Sequence, residues 1–330
     1  MKKSIFITGS EGFIAFHIIE KFVDKGYKIY ALILYNSFGD IGNLKFIPKN
    51  KLKKIEVIFG DLRDTGTYEK YISKVDYVLN LASLISIPYS YIAQKSYFDN
   101  NILGASSLFD VCKKHNLKKI VHFSTSEIYG TPKKIPINEN TSLNPQSPYA
   151  ASKLAVDHIA KSYFYSFGMP IVILRPFNNF GPRQSRRAVI PEIICQSLKN
   201  NTIYLGDTST KRDFLYVEDT AEAVLKVLNS KNILGEEINI GSNQFFRIID
   251  VVRKVSKILN KNIEVKIDAK KLRPRKSEVK VLLCDFSKAK KILKWQPTAC
   301  NTEKKFNTKL SETIIHYDKF FEFYDKNFYR

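Results

Sequence analysis

Short apolar runs alternate with amphipathic stretches through the first half of the chain. Five of these runs have the length and composition of buried strands, namely Ser4–Thr8, Lys28–Leu34, Ile55–Phe59, Tyr77–Leu81 and Lys119–Phe123. Continuous apolar strands that alternate with helical patterns are typical of a parallel sheet covered by helices on both faces. The pattern therefore predicts an α/β fold with a doubly wound parallel sheet.

The second half of the chain has a different pattern. Pro170–Leu174 is another apolar strand, but residues 175–184 are too rich in Asn, Gly and Pro to predict regular structure. A short strand, Ile238–Gly241, precedes a helix, and an aromatic-rich helix closes the chain. Because no repeat or low-complexity linker separates the two halves, we expect two closely packed domains.

The predicted domain boundaries follow from these changes of pattern. The first domain comprises residues 1–174 and a return of the chain at about 213–240. The second, a smaller mixed α/β domain, comprises residues 175–212 and about 241–330. A chain of 330 residues is long enough for one large α/β unit or for two packed domains.

The chain is strongly basic, with 53 basic and 32 acidic residues and a formal net charge of +21. Nucleic-acid binding would favour such a charge, because lysine and arginine neutralise phosphates. The lysines are, however, spread along the chain instead of forming one stripe. We therefore treat most of the charge as background and expect no nucleic acid as the main partner.

Neither membrane insertion nor metal binding is indicated. No apolar run approaches the ~20 residues that cross a bilayer, and Met1–Ile7 enters a strand without the features of a secretory signal. The four cysteines and five histidines show no metal-ligand or redox spacing. We expect a cytoplasmic protein with reduced cysteines and no metal.

A glycine-rich turn follows the first strand. Gly9 and Gly12 lead into a helical pattern that begins Phe13-Ile14-Ala15. The first glycine permits a tight turn, and the second lets the backbone approach a pyrophosphate at the helix amino terminus. Strand, turn and helix in this order predict a Rossmann-type domain that binds a dinucleotide.

The ends of the second and third strands are candidate contacts for the rest of that cofactor. The second strand lacks the acid that commonly binds the ribose 2′-hydroxyl, and it also lacks an arginine for a 2′-phosphate. Asn36 or Ser37 could bind a neutral ribose there, which favours NAD over NADP. Asp61 follows the third strand, where an acid faces the adenine or caps a helix.

The fourth strand leads to small residues and then to a helix with an unusual interior. Leu81-Ala82-Ser83 would let a dinucleotide pass, and the next loop places Ser86 where it could contact a substrate. A long helix is predicted from there through His115, with Asn101 inside it. Asparagine is unfavourable in a helix interior, which indicates a buried polar role.

The segment from Ser124 to Lys153 carries the candidate chemistry. Ser147 and Pro148 are typical of a helix start, so Tyr149 and Lys153 would lie one turn apart on one face. An ammonium beside a phenol lowers the pKa of the phenol. Such a phenol can accept the proton of an alcohol that is losing hydride.

Hydroxyl groups and one carboxylate precede this helix. Ser124-Thr125-Ser126-Glu127 follows the fifth strand, and open α/β sheets bind their ligands at the carboxyl ends of strands. Together with the glycine turn, this arrangement predicts a catalytic site instead of an ordinary amphipathic helix face.

These motifs resemble those of the extended short-chain dehydrogenases/reductases that act on nucleotide-activated sugars. The resemblance covers nearly the whole chain, and further shared segments are Arg175–Gln184, Arg212–Asp219 and Trp295–Pro297. Within that family, the chain is most similar to NAD-dependent 4,6-dehydratases of N-acetylglucosamine nucleotides that serve legionaminic-acid-type surface sugars. Leu34–Phe38 and Pro182–Pro191 are among the segments behind that similarity.

Three positions depart from the family pattern. Ala15 replaces the usual third glycine, and Asn80 stands where a histidine is frequent. Ser126 stands where the deoxythymidine-sugar dehydratases carry an aspartate that acts as an acid. The GDP-mannose-type dehydratases share the Thr-Ser-Glu sequence found here.

The resemblance implies a mechanism and a set of site residues. Tyr149, with Lys153, would take the proton of the sugar 4-hydroxyl, which Thr125 orients. Glu127 would take the C5 proton, and water would leave from C6 with help from Glu127 or Ser126. The implied cofactor-binding residues are Gly9, Gly12, Phe13, Ile14, Asn36, Asp61, Leu62, Leu81, Ala82, Asn101, Tyr149 and Lys153. The implied substrate-binding residues are Ser86, Asn178, Val189, Arg212, Arg273 and Glu278.

The resemblance also implies partners and leaves alternatives open. It implies an NAD cofactor, a nucleotide-diphosphate sugar and a homodimer through the helices from Tyr91 and Pro148. A 4-epimerase needs no base at C5, so Glu127 argues against it. A UDP-glucuronate decarboxylase also carries a Ser-Glu pair, but residues 149–153 lack an acid often found within that segment. A non-catalytic dinucleotide- or RNA-binding protein would tolerate any residue at positions 127 and 149.

Overall fold

The computed structural model describes residues 3–326. Within them, the strands are β1 (Ser4–Thr8), β2 (Lys28–Leu34), β3 (Ile55–Gly60), β4 (Tyr77–Asn80), β5 (Lys119–Phe123), β6 (Ile171–Pro176), β7 (Asn178–Phe180), β8 (Thr202–Leu205), β9 (Lys211–Tyr216), β10 (Glu237–Ile240), β11 (Phe245–Arg247), β12 (Glu264–Ile267) and β13 (Val281–Leu282). The α-helices are α1 (Phe13–Asp24), α2 (Lys49–Leu52), α3 (Glu69–Ile72), α4 (Ile87–Ser90), α5 (Gln94–Tyr97), α6 (Gly104–Cys112), α7 (Pro148–Phe167), α8 (Val189–Lys199), α9 (Val217–Asn229), α10 (Ile248–Leu259), α11 (Ser287–Leu293), α12 (Glu303–Lys319) and α13 (Phe321–Lys326).

Seven strands form a central sheet in the order β10-β6-β5-β4-β1-β2-β3. Every neighbouring pair in this sheet is parallel. The predicted Rossmann-type, doubly wound parallel sheet is therefore confirmed. The strand order changes direction between β1 and β4, and the carboxyl ends of strands at such a switch point form a crevice that binds ligands.

The continuous apolar strands are explained by burial on both faces of this sheet. Along β1, Ile5 and Ile7 pack in one core with Phe16 of α1. Phe6 lies on the opposite face and packs in a second core with Val156 of α7. Because successive strand residues point to opposite faces, a strand covered on both sides is apolar at most of its positions.

Two smaller sheets are formed largely by the second half of the chain. One has the order β11-β9-β13, with β7 also paired to β9, and the other pairs β12 with β8. Regular structure was not predicted for residues 175–184, and that was wrong in part, because β6 runs on through Pro176 and β7 follows it. The β7 ladder joins backbone groups of Asn178–Phe180 to those of β9, so it does not require apolar side chains.

The helix predicted through His115 is broken into pieces. After α4 and α5, residues Phe98–Leu103 form a π-helical stretch, and α6 ends at Cys112. Asn101 lies within the π-helical stretch and is buried. Wider turns of this kind are frequently found at functional sites.

Two further features concern the sequence predictions about membrane insertion and about the redox state of the cysteines. No helix within residues 3–326 is both long and apolar enough to cross a membrane. Each of the four cysteines is buried and carries a free thiol.

Candidate active site

The turn between β1 and α1 has the geometry that pyrophosphate binding requires. Gly9 adopts φ +64°, and a Cβ atom there would lie 2.9 Å from the Cα of Ala82. Gly12 precedes α1 in an extended conformation, and no side chain caps this helix. The first N–H groups of α1 are thus available to an anion. The turn fits a dinucleotide on the evidence of these contacts.

The end of β2 differs from the prediction for the adenosine ribose. Both polar groups of the Asn36 amide are bound within the loop, to the backbone of Asp40 and of Leu34. A carboxylate comes instead from the glycine turn, since Glu11 Oε1 accepts a bond from the Leu34 N–H at 3.3 Å. Burial raises the pKa of Glu11. Sequence reasoning missed Glu11, although an acid between the two glycines was a usable signal.

Two other candidate cofactor residues form hydrogen bonds with neighbouring groups of the protein. Asp61 follows β3 and bonds to the Arg63 guanidinium at 2.6 Å, and this bond lowers the pKa of Asp61. Asn101 accepts from the Leu84 N–H at 2.8 Å and donates to Ser152 Oγ at 2.9 Å. Asn101 therefore ties the loop after β4 to α7.

The remaining candidate cofactor residues lie at the start of α1 and after β3 and β4. Phe13 and Ile14 open α1, Leu62 follows Asp61, and Leu81 and Ala82 follow β4 beside Gly9.

Helix α7 begins as predicted and presents the candidate pair. The Ser147 hydroxyl accepts a bond from the Ala150 N–H, and Pro148 occupies the first turn. Tyr149 and Lys153 are both buried, with exposed fractions of 7% and 4%. The Lys153 Nζ donates to the carbonyl oxygen of Phe123, at the end of β5, at 2.6 Å. The pair thus lies against the strand that leads to Thr125 and Glu127.

The pKa of Tyr149 contradicts one sequence expectation. We expected Lys153 to lower it, but burial raises the pKa of Tyr149 above its usual value. A hydrogen bond to the Thr125 side chain acts in the opposite direction, and the Glu127 charge raises the pKa further. Burial also lowers the pKa of Lys153, to about 8. Desolvation of both groups therefore outweighs their mutual effect in this protein.

The Thr125–Glu127 segment brings hydroxyl and carboxylate groups to Tyr149. Thr125 Oγ1 accepts a bond from the Glu127 N–H at 3.3 Å, which closes a single 3₁₀ turn at Ser126–Tyr129. Glu127 is buried and lies close enough to Tyr149 to affect its charge state. The Glu127 Oε2 is 3.7 Å from Arg273 Nη1. The carboxylate thus lies between Arg273 on one side and the charge environment of Tyr149 on the other.

Two arginines and one further glutamate lie on the other side of Glu127. Arg273 Nη1 lies 3.8 Å from Glu278 Oε1, and Arg212 Nη2 donates to the same oxygen at 3.2 Å. Arg273 Nη1 is buried and has no hydrogen-bond partner among the described residues. Buried guanidinium groups with free donors suit phosphate, because their planar fork matches its oxygens.

Other sequence-predicted substrate residues lie on the elements around this cluster. Asn178 begins β7, and its Oδ1 is buried without a partner in residues 3–326. Val189 begins α8. Ser86 precedes α4, and its carbonyl oxygen accepts a bond from the Tyr97 hydroxyl. The Tyr97 ring lies 6.3 Å from that of Tyr149.

A contact between distant segments holds the 273–278 loop in place. The Tyr91 hydroxyl bonds to Ser277 Oγ at 2.6 Å, and Ser277 Oγ also bonds to the carbonyl oxygen of Gln146. Gln146 Nε2 in turn donates to the carbonyl oxygen of Lys276 at 2.9 Å. Sequence reasoning missed this contact, since no local pattern links residues so far apart.

No group of three or more potential metal ligands occurs within residues 3–326.

Comparison with known proteins assigns this architecture to one family. The GDP-mannose 4,6 dehydratase family model matches residues 6–304. A putative UDP-glucose 4-epimerase of Methanocaldococcus jannaschii is 33% identical over 300 residues, which are 89% of this chain and 93% of that protein. A dTDP-D-glucose 4,6-dehydratase of Dictyostelium discoideum is 32% identical over 276 residues, which are 78% of this chain.

Some curated relatives are much longer than the matched region. The chain spans 62% of the Dictyostelium protein. It spans 44% of a trifunctional UDP-glucose 4,6-dehydratase, 3,5-epimerase and reductase of Arabidopsis thaliana, to which it is 30% identical over 302 residues, or 89% of this chain.

Solved structures of both reaction types resemble the fold. The UDP-glucuronic acid 4-epimerase of Bacillus cereus, in complex with UDP-glucuronic acid and NAD, superposes with a TM-score of 0.87, at 29% identity and covering 96% of this chain and 99% of that one. The dTDP-glucose 4,6-dehydratase of Bacillus anthracis, in complex with NAD, superposes with a TM-score of 0.84, at 28% identity and covering 98% and 99%.

Proposed function

Because the chain belongs to the GDP-mannose 4,6-dehydratase family, which groups nucleotide-sugar 4,6-dehydratases and epimerases among the extended short-chain dehydrogenases/reductases, we propose that it is an NAD-dependent nucleotide-sugar 4,6-dehydratase. One observation carries the choice of dehydration. The Glu127 carboxylate is buried, and it lies near enough to Tyr149 for its charge to raise the pKa of that phenol. Dehydration needs a base at C5, and epimerisation at C4 does not.

The first step in this proposal is oxidation of the sugar at C4. NAD, when bound, supplies the acceptor for the C4 hydride and returns that hydride at C6. Tyr149 takes the proton of the 4-hydroxyl, and the Thr125 hydroxyl that bonds to Tyr149 orients the same oxygen. The Lys153 ammonium stabilises the phenolate from one turn away on α7.

Elimination of water follows from the ketone at C4, which acidifies the C5 proton. Glu127 accepts that proton, since its carboxylate is buried and its charge acts on Tyr149. Ser126 or the protonated Glu127 then donates to the departing C6 hydroxyl. The proton that leaves with water replaces the one taken from C5. When hydride returns to C6, a second proton is added at C5, which balances the proton that Tyr149 took from the 4-hydroxyl, so the cycle has no net gain or loss of protons.

The arginine cluster is proposed to hold the nucleotide diphosphate. The buried Arg212 and the half-buried Arg273 both lie beside Glu278. Their guanidinium groups suit phosphate oxygens, and the Glu278 carboxylate suits a ribose diol. Asn178 offers a buried, unpartnered amide oxygen, and Ser86 and Val189 complete the pocket wall. We propose UDP- or GDP-linked N-acetylglucosamine as substrate and surface-glycan biosynthesis of the legionaminic-acid type as the pathway.

Several expectations from sequence stay predictions. They are the domain division, the homodimer and the individual contacts of the cofactor-binding residues. Glu11 is added to the cofactor set, because its carboxylate lies at the end of β2 where Asn36 was expected to act.

Product mass tests the reaction directly. The protein is incubated with NAD and with UDP- or GDP-linked N-acetylglucosamine, and the products are analysed by mass spectrometry. Loss of one water without net NADH supports dehydration. An isomer of unchanged mass contradicts it and favours a 4-epimerase, the second candidate, which the epimerase relatives support.

The variant Glu127→Gln separates the two half-reactions. It should form NADH in a single turnover, because Tyr149 and Lys153 are intact, but it should release no dehydrated product. Retained NADH formation is itself the control for folding and for substrate binding. Full dehydration by this variant would remove Glu127 from the mechanism.

A further inference from the structure

Gln146 is bonded at both ends of its side-chain amide to segments far away in the chain. Its Nε2 donates to the carbonyl oxygen of Lys276 at 2.9 Å. Its Oε1 accepts from the Thr131 N–H at 2.8 Å and from the Thr131 hydroxyl at 3.0 Å. Because a carbonyl oxygen can only accept and a backbone N–H can only donate, these partners fix which way the amide faces. Gln146 also directly precedes Ser147, the residue that caps α7.

The backbone of Gln146 is bonded to the same loop. The Ser277 hydroxyl donates to the Gln146 carbonyl oxygen. Since a hydroxyl has one hydrogen to donate, the Tyr91 hydroxyl must be the donor in its 2.6 Å bond to Ser277 Oγ. The Ser277 N–H closes a turn on the carbonyl oxygen of Pro274 at 2.7 Å. Two successive residues of the 273–278 loop, Lys276 and Ser277, are therefore tied to Gln146.

The turn that carries Glu127 packs on the chain just before α7. Gly130 has φ +58°, and a Cβ atom there would clash with the carbonyl oxygen of Asn144 and lie 3.0 Å from Gln146 Oε1. The Asn144 N–H donates to the Ile128 carbonyl oxygen at 2.8 Å, and the Gly130 N–H donates to that of Glu127 at 3.1 Å. The backbone of residues 127–131 is thus in direct contact with residues 144–146.

The three segments that meet at Gln146 carry the proposed chemistry. Residues 127–131 carry Glu127, the first turn of α7 carries Tyr149, and the 273–278 loop carries Arg273. Arg273 Nη1 lies 3.7 Å from Glu127 Oε2 and is buried without a hydrogen-bond partner within residues 3–326. Because the backbone on both sides of this contact is bonded to Gln146, the place of the Arg273 guanidinium beside Glu127 depends on those bonds.

We propose that Gln146 is a positioning residue, which fixes the 273–278 loop against the start of α7. A nucleotide-sugar is held by its diphosphate at one end and reacts at the other, so the tie between the loop and α7 sets where the sugar lies relative to Tyr149. Gln146 acts through Arg273 and need not touch the substrate itself. The inference rests on the proposed role of the 273–278 loop in binding the diphosphate, but not on the choice between dehydration and epimerisation.

The affinity for nucleoside diphosphates is the first test. Gln146→Glu keeps an acceptor for Thr131 and loses the donor to Lys276. Binding must then order a loop that the wild type already holds in place, so the affinity of the NAD-saturated protein for UDP or GDP, measured by calorimetry, should fall about fivefold for the one hydrogen bond lost. The affinity for NAD should not change.

The kinetic constants separate positioning from a merely structural role. With a sugar nucleotide that the wild type turns over, Gln146→Glu should raise KM about fivefold and leave kcat unchanged, because the diphosphate binds equally in the ground state and the transition state. A residue needed only for folding would instead lower the fraction of active protein, which lowers the apparent kcat and leaves KM as it is.

Hydrogen exchange tests the tie without any ligand. In Gln146→Glu and in Ser277→Ala, amides of residues 272–279 should exchange about fivefold faster for each bond lost. Amides of residues 127–131 should change little in Gln146→Glu, which keeps the acceptor for Thr131, and should exchange faster in Gln146→Ala. Ser277→Thr, which keeps the hydroxyl, should restore both the slow exchange and the affinity.

Two tyrosine variants provide a matched control. Tyr91→Phe removes the hydroxyl that donates to Ser277 and should reproduce the effects of Ser277→Ala in direction. Tyr163→Phe removes the same kind of group, since the Tyr163 hydroxyl donates to Asp110 Oδ1 at 2.7 Å, but it lies in the later part of α7 and contacts neither segment. Nucleotide affinity and exchange in Tyr163→Phe should match the wild type.

The possible outcomes lead to different conclusions. Faster exchange of residues 272–279 with wild-type nucleotide affinity and KM would show a structural tie only and would overturn the positioning role. Unchanged exchange in both Gln146→Glu and Ser277→Ala would overturn the tie itself. A wild-type protein that binds neither UDP nor GDP would overturn the diphosphate role of the 273–278 loop, and this inference with it. A product of unchanged mass in the assay of function would overturn dehydration alone.

Discussion

Gly9→Ala should weaken cofactor binding and lower the free energy of unfolding. The loss of stability has two contributions that can be calculated separately, namely backbone strain and a steric clash. Gly9 has φ +64°, and the added Cβ would meet backbone atoms of Ala82 at 2.9 and 3.0 Å. A residue with a Cβ costs about 1–2 kcal/mol in the left-handed region. Forcing a methyl group against backbone that cannot rotate away adds about 1–3 kcal/mol. The free energy of unfolding should therefore fall by about 2–5 kcal/mol.

Gly168→Ala is the matched control for this prediction. Gly168 ends α7 with the same φ of +64°, but a Cβ there would find no heavy atom within 4 Å. It should therefore show the cost of the backbone conformation alone, about 1–2 kcal/mol. Urea unfolding of both variants measures the difference. Equal losses of stability in the two variants would refute the steric contribution from Ala82.

Gly12→Ala completes the comparison by separating binding from stability. A Cβ at Gly12 would lie 3.1 Å from the Gly9 carbonyl oxygen, and the backbone there has a negative φ of −75°. The unfolding free energy should change little, but NAD affinity measured by calorimetry should fall, because the methyl group would occupy the approach of the pyrophosphate. Wild-type NAD affinity in this variant would mean that the pyrophosphate does not cross the turn.

Asp219→Ala should lower the free energy of unfolding by about 2–3 kcal/mol, because each hydrogen bond to the carboxylate contributes about 1 kcal/mol. The carboxylate accepts these bonds from the Thr298 N–H, the Thr298 hydroxyl and the Ala299 N–H. A loss below about 0.5 kcal/mol in urea unfolding would contradict this prediction. Burial lowers the pKa of His17 to about 4, so between about pH 6.5 and 4 the unfolded chain binds a proton that the folded protein does not, and stability should fall as the pH decreases through that range. His17→Gln should reduce this fall by up to about 3 kcal/mol, and an unchanged pH dependence of urea unfolding would contradict the assignment to His17.

The central sheet was predictable because the apolar pattern of each strand can be recognised in that strand alone. β1, β2 and β5 have the predicted bounds, since strands covered on both faces are mostly apolar along their length. The weaker predictions concerned elements whose partners lie far away in the chain. β7 exists because Asn178–Phe180 pairs with β9, some 36 residues later, and no side-chain pattern in Asn178–Phe180 indicates that pairing.

The candidate site shows the same division between local spacing and tertiary environment. The four-residue spacing of Tyr149 and Lys153 was readable, and Asp157 continues it by one more turn. The direction of the Tyr149 pKa was not readable, because it depends on how completely the folded protein removes water from the phenol. A spacing motif predicts which groups meet, but only the fold determines their charge.

The alternation of positive and negative groups in the candidate site explains why the large net charge of the chain is a poor guide to its function. The site alternates carboxylate and guanidinium groups, with Glu127, Arg273, Glu278 and Arg212 in succession at 3.7, 3.8 and 3.2 Å. Its formal charge is zero in a protein of +21, so a bound diphosphate meets guanidinium donors that are already oriented by glutamates. A cluster of unpaired lysines would attract the same diphosphate without fixing its orientation, because an ammonium is a point charge on a flexible stem. It would also leave Glu127 without the guanidinium that lies 3.7 Å from its carboxylate. The balance within this cluster, and not the excess over the whole surface, is what the proposed chemistry requires.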